Sequence, residues 1–359
     1  MSGADTQTDA EKILISGNEA IGEGAIRAGV RFYGGYPITP QNDLTAYMAD
    51  QLPLRGGQFV QAESEIAAIN MLYGASAAGV RCMTSSSSPG ISLKQEGISY
   101  LAGSELPAVI INVERGGPGL GDISPSQGDY YQTTRGGGHG DYRCLSLAPM
   151  SVQEAADFTY LAFELADRYR TPVIVAADGL IGQMMEPARF DHLEDPDPED
   201  KPWALTGAEG RERNIVKSFY PVKGELEEFN EKLQEKYRRI EQQEVRYEES
   251  GSDDASILMV AYGTCARVCA ELIEHPPPEL EGKLKLLRPI TLWPFPDGRI
   301  RELSEDLDGI LTVEMNAGQM IDDVRLAVEG RCPVHLHGRP GGGIPGAREV
   351  AEKLNSFRE

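Results

Sequence analysis

Residues 13–40 read ILISGNEAIGEGAIRAGVRFYGGYPITP, and this stretch decides the fold class. Apolar residues in its first half recur at helical spacing, so it predicts a helix that Asn18 can cap and Gly29 can end. Residues 30–33 then predict a short strand, and residues 34–40 predict a turn rich in glycine and proline. A helix, a strand and a tight turn in this order are typical of an α/β domain.

The same alternation continues to about residue 188, with short apolar runs between helical stretches. Parallel strands need a crossover connection, usually a helix, so the alternation predicts a doubly wound, mostly parallel sheet. The further predicted strands are residues 58–61, 80–84, 108–113 and 172–176, and the further predicted helices are one around residues 44–48, one that Ser64 caps and one over residues 152–170.

The composition changes after residue 193. Residues 195–200 form an acidic, proline-containing break, and residues 224–249 predict a charged helix that lies across this subunit or against a partner. A smaller α/β unit follows. The predicted domains are residues 1–193, 194–252 and 253–359. In the last of them we predict strands at 257–261, 284–287 and 310–313 and helices at 266–274 and after residue 347.

Composition excludes several classes of protein. Of 359 residues, 40% are hydrophobic, so the chain can bury a sizeable core. The net charge of −22 disfavours nucleic acid and anionic membranes as partners. Five scattered cysteines do not make a disulfide framework, which favours a reducing cytoplasm. Apolar runs are far shorter than the ~20 residues that cross a bilayer, so we expect no membrane span.

Four turns rich in glycine, proline or serine follow predicted strands, at residues 34–40, 84–90, 116–121 and 136–140. Ligands of open α/β sheets collect at the carboxyl ends of the strands, so together these turns predict one wall of an active site. Each turn taken alone is also consistent with an ordinary irregular loop. Residues 116–121 lack the Lys-Ser/Thr ending of a P-loop.

Glu65 lies in the first turn of a predicted helix, directly after a predicted strand. A carboxylate there is usually only a favourable partner for the helix dipole. Glu63 stands two residues earlier, however, and small residues such as Ala67 and Gly74 leave room for a flat ligand beside the helix. Both interpretations remain open on these residues alone.

Several motifs together resemble one enzyme family. Their order along the chain is similar to that in the alpha-type subunit of thiamine-diphosphate-dependent 2-oxoacid:ferredoxin oxidoreductases, and the resemblance covers nearly the whole chain from about residue 13. The motifs are YPITP (36–40), QAESE (61–65), MTSSSSPG (83–90), VER (113–115), QGD (127–129), LRPIT (287–291) and EMNAGQ (314–319).

The resemblance implies a cofactor and a fold for each part of the chain. Residues 1–193 would bind the aminopyrimidine half of thiamine diphosphate, and residues 253–359 would form a transketolase C-terminal-like domain. Glu65 matches the glutamate that hydrogen-bonds the ring nitrogen of the pyrimidine. The other residues that the resemblance places at the cofactor are Tyr36, Pro37, Ile38, Ser87 and Pro89.

Three further residues match substrate-binding positions of the family. Thr39 matches a threonine that can donate a hydrogen bond to the oxygens of the 2-oxo acid, and it is a candidate catalytic residue with Glu65. Arg115, also a candidate catalytic residue, resembles the arginine that holds the substrate carboxylate, which its planar fork suits. Ser124 falls where some relatives place a second hydroxyl near the substrate.

Two motifs of such enzymes are absent from this sequence. A magnesium–diphosphate site needs a Gly-Asp-Gly turn with an asparagine some 25–30 residues later. The nearest match, Ala177-Asp178-Gly179, lacks both the first glycine and the asparagine. Cys265 and Cys269 are the only close cysteine pair, too few for an iron–sulfur cluster, and His335 and His337 have no third ligand nearby. We therefore expect no metal site on this chain.

The resemblance consequently implies partner subunits. A beta-type subunit would carry the diphosphate, Mg²⁺ and a [4Fe–4S] cluster, and gamma and ferredoxin-like delta subunits would complete the complex. The implied reaction is oxidative decarboxylation, in which a 2-oxo acid, coenzyme A and oxidised ferredoxin give acyl-CoA, CO₂ and reduced ferredoxin.

The loop after Arg115 bears on the substrate. Residues 116–121 offer no cation to a distal carboxylate, whose unpaired burial is costly, so we favour branched-chain 2-oxo acids such as 2-oxoisovalerate. The second choice is 2-oxoglutarate. An interpretation of another class is a non-catalytic subunit that binds a nucleotide or the diphosphate of coenzyme A, or that serves assembly. Glu65 argues against it, because a phosphate-binding loop gains nothing from a neighbouring carboxylate.

Overall fold

The computed structural model describes residues 12–194, 196 and 200–356. Most of the polar amino-terminal segment and of the predicted acidic break at 195–200 lies outside these residues. None of the described helices is both long and apolar enough to cross a membrane.

Strands and helices alternate through the first half of the chain, as predicted. Their bounds are β1 (Ile13–Ser16), α1 (Gly17–Arg27), β2 (Phe32–Gly35), α2 (Asn42–Leu54), β3 (Gln58–Gln61), α3 (Glu65–Ala77), β4 (Cys82–Ser86), α4 (Ser88–Gly103), β5 (Ala108–Glu114), α5 (Tyr130–Thr134), β6 (Leu145–Leu147), α6 (Val152–Tyr169), β7 (Pro172–Asp178), α7 (Gly179–Gln183) and β8 (Met185–Ala188).

The second half begins with a long helix and continues as a smaller α/β unit. Its elements are α8 (Glu225–Gln243), β9 (Tyr247–Gly251), β10 (Ile257–Val260), α9 (Gly263–Glu274), β11 (Leu284–Pro289), β12 (Thr291–Trp293), α10 (Asp297–Leu303), β13 (Gly309–Glu314), α11 (Met320–Val328), β14 (Val334–Gly338) and α12 (Ala347–Asn355).

Two sheets organise the chain. The larger has seven strands in the order β12-β6-β7-β5-β4-β2-β3, all parallel except the β12–β6 pair. The smaller has the order β14-β13-β10-β11-β9, with only β9 antiparallel. Strands β5 and β7 are buried along their whole length, which explains their nearly continuous apolar sequences. The predicted doubly wound α/β fold is confirmed.

The start of α1 differs from the prediction. Ser16, the last residue of β1, is its cap, because the Ser16 hydroxyl accepts the Glu19 N–H at 3.3 Å and the Glu19 carboxylate accepts the Ser16 N–H. Asn18 is instead inside the helix and buried, and its Nδ2 donates to the Pro40 carbonyl at 2.9 Å. The prediction that Asn18 caps the helix is wrong, because the helix follows β1 without a connecting turn.

The charged helix α8 lies across this subunit. Its buried residues Leu233, Tyr237 and Ile240 join the core of the larger sheet, and the Tyr237 ring packs edge-on against Trp293 at 5.8 Å between centroids. Strand β9, from the predicted linker, pairs in the smaller sheet, and β12 pairs in the larger one. Both therefore cross the domain division that we propose at residues 193 and 252.

Candidate active site

The turn at residues 36–40 follows β2 at the carboxyl edge of the larger sheet. Its backbone carbonyls are held from three directions. Gln41 Nε2 donates to the Tyr36 carbonyl at 3.3 Å, Asn18 Nδ2 holds the Pro40 carbonyl, and Arg115 donates to the Thr39 carbonyl. The sequence folds this way because β2 ends in two glycines and the turn contains two prolines. Tyr36, Ile38 and Thr39 are half-buried, and Pro37 is exposed.

Arg115 joins this turn to the glycine loop that follows β5. The side chain is 7% exposed, with Nη1 donating to the Thr39 carbonyl at 2.9 Å and Nη2 to the Leu120 carbonyl at 3.0 Å. Its Nε is buried and, among the described residues, has no hydrogen-bond partner. A guanidinium carries five N–H donors, so donors remain after these two bonds.

The amino terminus of α4 contacts Arg115 from a second side. The Ser88 hydroxyl donates to the Arg115 carbonyl and accepts from the Arg115 N–H, both at 3.1 Å. Just before it, the Ser86 and Ser87 hydroxyls are buried and lack partners within the part of the chain that the structure describes. Buried hydroxyls are normally hydrogen-bonded, so these two are available to a ligand.

Glu65 is the first residue of α3. Ser64 caps this helix, because its hydroxyl accepts a hydrogen bond from the Ala67 N–H at 3.2 Å. Glu65 as a residue is 6% exposed, and no group in residues 12–194, 196 or 200–356 hydrogen-bonds its carboxylate. A Cβ atom at Gly90 would lie 2.6 Å from Glu65 Oε1 and would collide with Ser86 Oγ. Glycine at position 90 thus lets α4 approach α3 closely enough to place the Glu65 carboxylate and the unpartnered Ser86 hydroxyl together.

These groups fit the pyrimidine half of thiamine diphosphate. A buried carboxylate without a partner is costly, and a protonated ring nitrogen supplies the donor it lacks. The unpartnered Ser86 and Ser87 hydroxyls are suited to a polar heterocycle. The structure also brings Thr39, Arg115, Ser87 and Pro89 to the same edge of the sheet, around the start of α4.

Ser124 lies where the two halves of the chain meet. Its carbonyl accepts the Gly116 N–H at 3.0 Å, and its side chain lies so close to Gly342 that a Cβ atom there would be 2.5 Å from the Ser124 Cβ. A cavity of about 320 Å³ adjoins this contact, and its lining includes Gly117, Asp129 and Asn316. A larger cavity, of about 480 Å³, lies away from the site beside Trp293.

Sequence reasoning missed Lys94, on the second turn of α4. The residue is completely buried, and its ammonium donates to Thr84 Oγ1 and to the Ser85 carbonyl, both at 2.8 Å. Burial lowers the pKa of Lys94 to about 7, while the charge of Glu65 acts in the opposite direction. A lysine between Leu93 and Gln95 on a helix gives no sequence signal of burial, because lysine is usually exposed.

Two carboxyls near Arg115, the buried Glu114 and the half-buried Asp129, were also missed as site groups, although both stand in quoted motifs. Burial, and secondarily the charge of Asp129, raise the pKa of Glu114 well above its usual range. Burial also raises the pKa of Asp129, which accepts Asn112 Nδ2 at 2.8 Å.

Asp178, of the Ala177-Asp178-Gly179 sequence, has a different role from a metal ligand. Its carboxylate accepts four hydrogen bonds, from the N–H groups of Leu180 and Ile181 and from the N–H and hydroxyl of Thr264. It thereby caps α7 and fastens the start of α9 to the larger sheet. Burial raises the pKa of Asp178, and these bonds oppose that shift.

The other candidate ligands lie outside the site. Cys265 and Cys269 are buried free thiols one helical turn apart on α9. His335 and His337 lie on the edge strand β14, where burial lowers the pKa of both.

Comparison with known proteins accounts for nearly the whole chain. Residues 23–249 match the family described as "Pyruvate flavodoxin/ferredoxin oxidoreductase, thiamine diP-bdg", and residues 255–350 match "Pyruvate:ferredoxin oxidoreductase core domain II". The chain belongs to the 2-oxoacid:ferredoxin oxidoreductases. It is an alpha-type subunit with a thiamine-diphosphate-binding domain and works within a complex of several subunits, as the sequence motifs predicted.

Two relatives in this family represent its subgroups. The chain is 54% identical, over 95% of its length and 96% of the relative's, to the ketoisovalerate oxidoreductase subunit VorB of Methanothermobacter thermautotrophicus. It is 36% identical, over 97% and 100%, to the 2-oxoglutarate synthase subunit KorA of Methanothermobacter marburgensis.

Solved structures agree with this family assignment. The 2-oxoglutarate:ferredoxin oxidoreductase of Magnetococcus marinus, solved with 2-oxoglutarate, coenzyme A and succinyl-CoA bound, superimposes with a TM-score of 0.88 at 26% identity, over 99% of this chain and 67% of that one. A split-gene transketolase, an inactive beta4 tetramer, shares the fold, with a TM-score of 0.59 at 15% identity over 96% and 98%.

Proposed function

We propose that this oxidoreductase subunit binds the pyrimidine half of thiamine diphosphate through Glu65 and acts on a branched-chain 2-oxo acid, with 2-oxoisovalerate as the first choice. The observation that carries the proposal is that Glu65 is a buried residue whose carboxylate has no hydrogen-bond partner in the described part of the chain. A purely structural glutamate at the start of a helix is normally solvated or hydrogen-bonded.

Glu65 would accept a hydrogen bond from the pyrimidine ring nitrogen and hold a proton there. The half-buried turn residues Tyr36 and Ile38, with Pro37, would border the ring on one side, and Ser87 and Pro89 on the other. When bound, thiamine diphosphate supplies a thiazolium carbon that attacks the 2-oxo carbon and accepts the electron pair released with CO₂.

Thr39, Arg115 and Ser124 would bind the 2-oxo acid. Thr39 Oγ1 accepts Asn42 Nδ2 at 3.2 Å, which leaves its O–H free to donate to a substrate oxygen. Arg115 is fixed by the two carbonyls it already holds and keeps spare N–H donors for the substrate carboxylate. The remaining donors at this fixed guanidinium suit a carboxylate common to all 2-oxo acids.

Two observations favour a branched-chain substrate. The loop at residues 116–121 carries no cation, and Leu120 in it is 83% exposed and free to contact an apolar side chain. Two relatives named for ketoisovalerate are 52–54% identical to this chain, against 35–40% for four relatives named 2-oxoglutarate synthase. The second candidate substrate is 2-oxoglutarate.

The remaining chemistry would come from other subunits. Asp178 is committed to backbone and threonine donors, and Cys265 and Cys269 are buried within one helix. We therefore infer that a beta-type subunit brings Mg²⁺, the diphosphate site and a [4Fe–4S] cluster, and that gamma and delta subunits complete the path to ferredoxin. Coenzyme A would accept the acyl group.

The substrate assignment is tested with the complex purified from co-expressed subunits. We expect kcat/KM with a viologen dye and coenzyme A to be highest for 2-oxoisovalerate among 2-oxoisovalerate, pyruvate and 2-oxoglutarate. A tenfold preference for 2-oxoglutarate would replace the substrate and leave the cofactor proposal standing.

The cofactor assignment is tested by Glu65→Gln, with Glu63→Gln as control. The amide keeps the shape of the glutamate but cannot hold the ring proton as a carboxylate does, so kcat should fall by about 100-fold or more. Glu63 is exposed two residues earlier, and its replacement should leave kcat within about twofold. Glu65→Gln activity within about threefold of wild type would contradict the assignment.

A further inference from the structure

Lys94 is a buried cation one layer behind the proposed pyrimidine site. It is 0% exposed, on the second turn of α4, and helix α4 packs against α3, where Glu65 is the first residue. Burying an ammonium ion costs several kcal/mol unless nearby groups compensate for it. The neighbours of Lys94 therefore determine in which form it exists.

The hydrogen bonds of Lys94 require two of its protons and no more. Thr84 Oγ1 donates to the Gly34 carbonyl at 2.6 Å and so acts only as an acceptor toward Lys94, and the second partner, the Ser85 carbonyl, is always an acceptor. A neutral amine has two N–H groups and an ammonium has three. The third proton of Lys94 can consequently leave without breaking a hydrogen bond to the protein.

Glu65 is the group that decides whether this third proton stays. A Cβ atom at Gly90, one helical turn before Lys94 on α4, would lie 2.6 Å from Glu65 Oε1, and the charge of Glu65 opposes the burial that lowers the pKa of Lys94 to about 7. Other charged or titratable side chains lie on the surrounding elements. They are Tyr33 on β2, Tyr73 on α3, Cys82 on β4, Glu114 and Arg115 at the end of β5, Asp178 on β7, and Glu96 and Tyr100 on α4 itself.

We propose that Lys94 is a positioning residue that balances the charge of Glu65: it carries its third proton while the Glu65 carboxylate lacks a partner, and releases that proton when Glu65 receives a hydrogen bond from the cofactor's pyrimidine ring. The inference rests on the proposed role of Glu65. Its chemistry is proton transfer only: Lys94 gives up one proton to solvent and the ring nitrogen, which is unprotonated in the free cofactor at neutral pH, takes one up, with no covalent bond formed or broken.

A pH dependence of cofactor binding follows. In the free site Lys94 is mostly protonated below pH 7, and a bound, protonated ring lowers its pKa further, so binding expels that proton while the ring nitrogen takes one up. Because the loss and the gain cancel, these two groups should leave the affinity for thiamine diphosphate nearly level between pH 6 and 7. Above pH 7 Lys94 is increasingly neutral and the ring proton comes from solvent, so the affinity should fall by up to about tenfold for each pH unit.

The test is titration calorimetry on the assembled complex freed of cofactor. Thiamine diphosphate with Mg²⁺ is titrated at pH 6, 7, 8 and 9 in two buffers of different ionisation enthalpy, which yields both the affinity and the number of protons exchanged. The variants are Lys94→Met, which removes the titrating group, and Lys94→Gln, whose amide keeps two N–H donors. Lys236→Met is the control, because Lys236 is also a buried lysine. It lies on α8 and bonds at 3.2 Å to Glu105, which follows the opposite end of α4 from Lys94.

Wild type and Lys236→Met should release up to one proton more than either Lys94 variant at pH 6–7, and the difference should vanish by pH 9. Between pH 6 and 8 the affinity of both Lys94 variants should fall about tenfold more than that of wild type, because nothing in them offsets the proton taken up by the ring. Equal proton counts in wild type and Lys94→Gln would overturn the inference. A Glu65→Gln complex measured alongside separates the two proposals. Unchanged affinity in that complex refutes the cofactor role of Glu65. Weakened affinity in it, together with equal proton counts in wild type and Lys94→Gln, refutes only the role of Lys94.

Discussion

At the scale of single residues, Arg115 has both a structural and a proposed chemical role. It bridges the turn at 36–40 and the loop at 116–121 through the Thr39 and Leu120 carbonyls, and its backbone is bonded to Ser88. The turn, the loop and the start of α4 therefore meet at one residue. Such a residue fixes the geometry of the site even before a substrate arrives.

Arg115→Lys separates two origins of substrate preference. A point charge replaces a fork that can bind a carboxylate in bidentate fashion, so kcat/KM should fall by about tenfold or more for every 2-oxo acid tested. Leu120→Arg, in the exposed loop, should instead change the ranking, penalising 2-oxoisovalerate and favouring 2-oxoglutarate. The measurement is kcat/KM for three 2-oxo acids on each variant, and a selective effect of Arg115→Lys would contradict the assignment to the shared carboxylate.

The candidate site was predictable from the sequence only in part. Glu65, Thr39 and Arg115 stand in motifs that resemble those of one enzyme family, so they could be named in advance. The structure brings Thr39 and Arg115 into contact. Lys94 could not be named, because its importance lies in complete burial, which depends on how α3, α4 and the sheet pack. Glu114 is similar, since a glutamate that ends a strand gives no sign of its raised pKa.

At the scale of elements, the starts of α3 and α4 are built differently although a serine precedes each. The Ser64 hydroxyl caps α3, whereas the Ser87 hydroxyl makes no capping bond to α4. A capping serine normally contributes about 1 kcal/mol. The comparison indicates that Ser64 stabilises its helix, and that the hydroxyl of Ser87 is retained for something other than stability.

Ser64→Ala should accordingly lower the stability of the complex by about 1 kcal/mol, seen as a drop of a few degrees in the melting temperature by scanning calorimetry. Ser87→Ala is the matched control and should leave the melting temperature nearly unchanged without cofactor, because no hydrogen bond is lost. A larger loss for Ser87→Ala than for Ser64→Ala would contradict the cap assignment.

Element prediction succeeded where local pattern decides the structure. Strand β3 has the predicted bounds, and α6 agrees to within one residue, because a turn signal or a cap marks their ends. The short strands β1, β6, β8 and β12 were not predicted. Each exists through pairing with a partner distant in sequence, such as Ile13 with Ala188, and three or four residues carry too little periodicity to show this.

At the scale of the whole molecule, the two sheets are joined by buried polar contacts. Asp178 at the end of β7 accepts from Thr264 at the start of α9, and Gln127 links the QGD loop to the carbonyl of Tyr262 and the N–H of Met315. Buried hydrogen-bonded joints of this kind resist relative motion, because parting them exposes unsatisfied groups. The loops of the site are therefore braced by both halves of the chain.

Thr264→Val tests this joint. Valine keeps the shape of threonine but leaves a buried Asp178 oxygen without the donor that lay at 2.7 Å, so the complex should lose about 1–3 kcal/mol of stability. Thr312→Val is the control, because it removes a bond of 3.1 Å to the His335 carbonyl inside the smaller sheet. We expect a greater fall in melting temperature for Thr264→Val, and an equal or smaller fall would show that the joint adds little.

Strand β12 restricts how this chain can be recombined with a homologue. It pairs with β6 as the outer strand of the larger sheet, yet in sequence it stands between β11 and β13 of the smaller one. A chimaera with its crossover between β7 and β12 takes the outer strand of the first sheet from the second parent. A crossover after β12 instead divides the second sheet between the parents. With any single crossover between β7 and β13, at least one sheet therefore contains strands from both parents. Side chains that contact β12, such as Tyr237 against Trp293, must then be chosen to fit the strand that the other parent supplies.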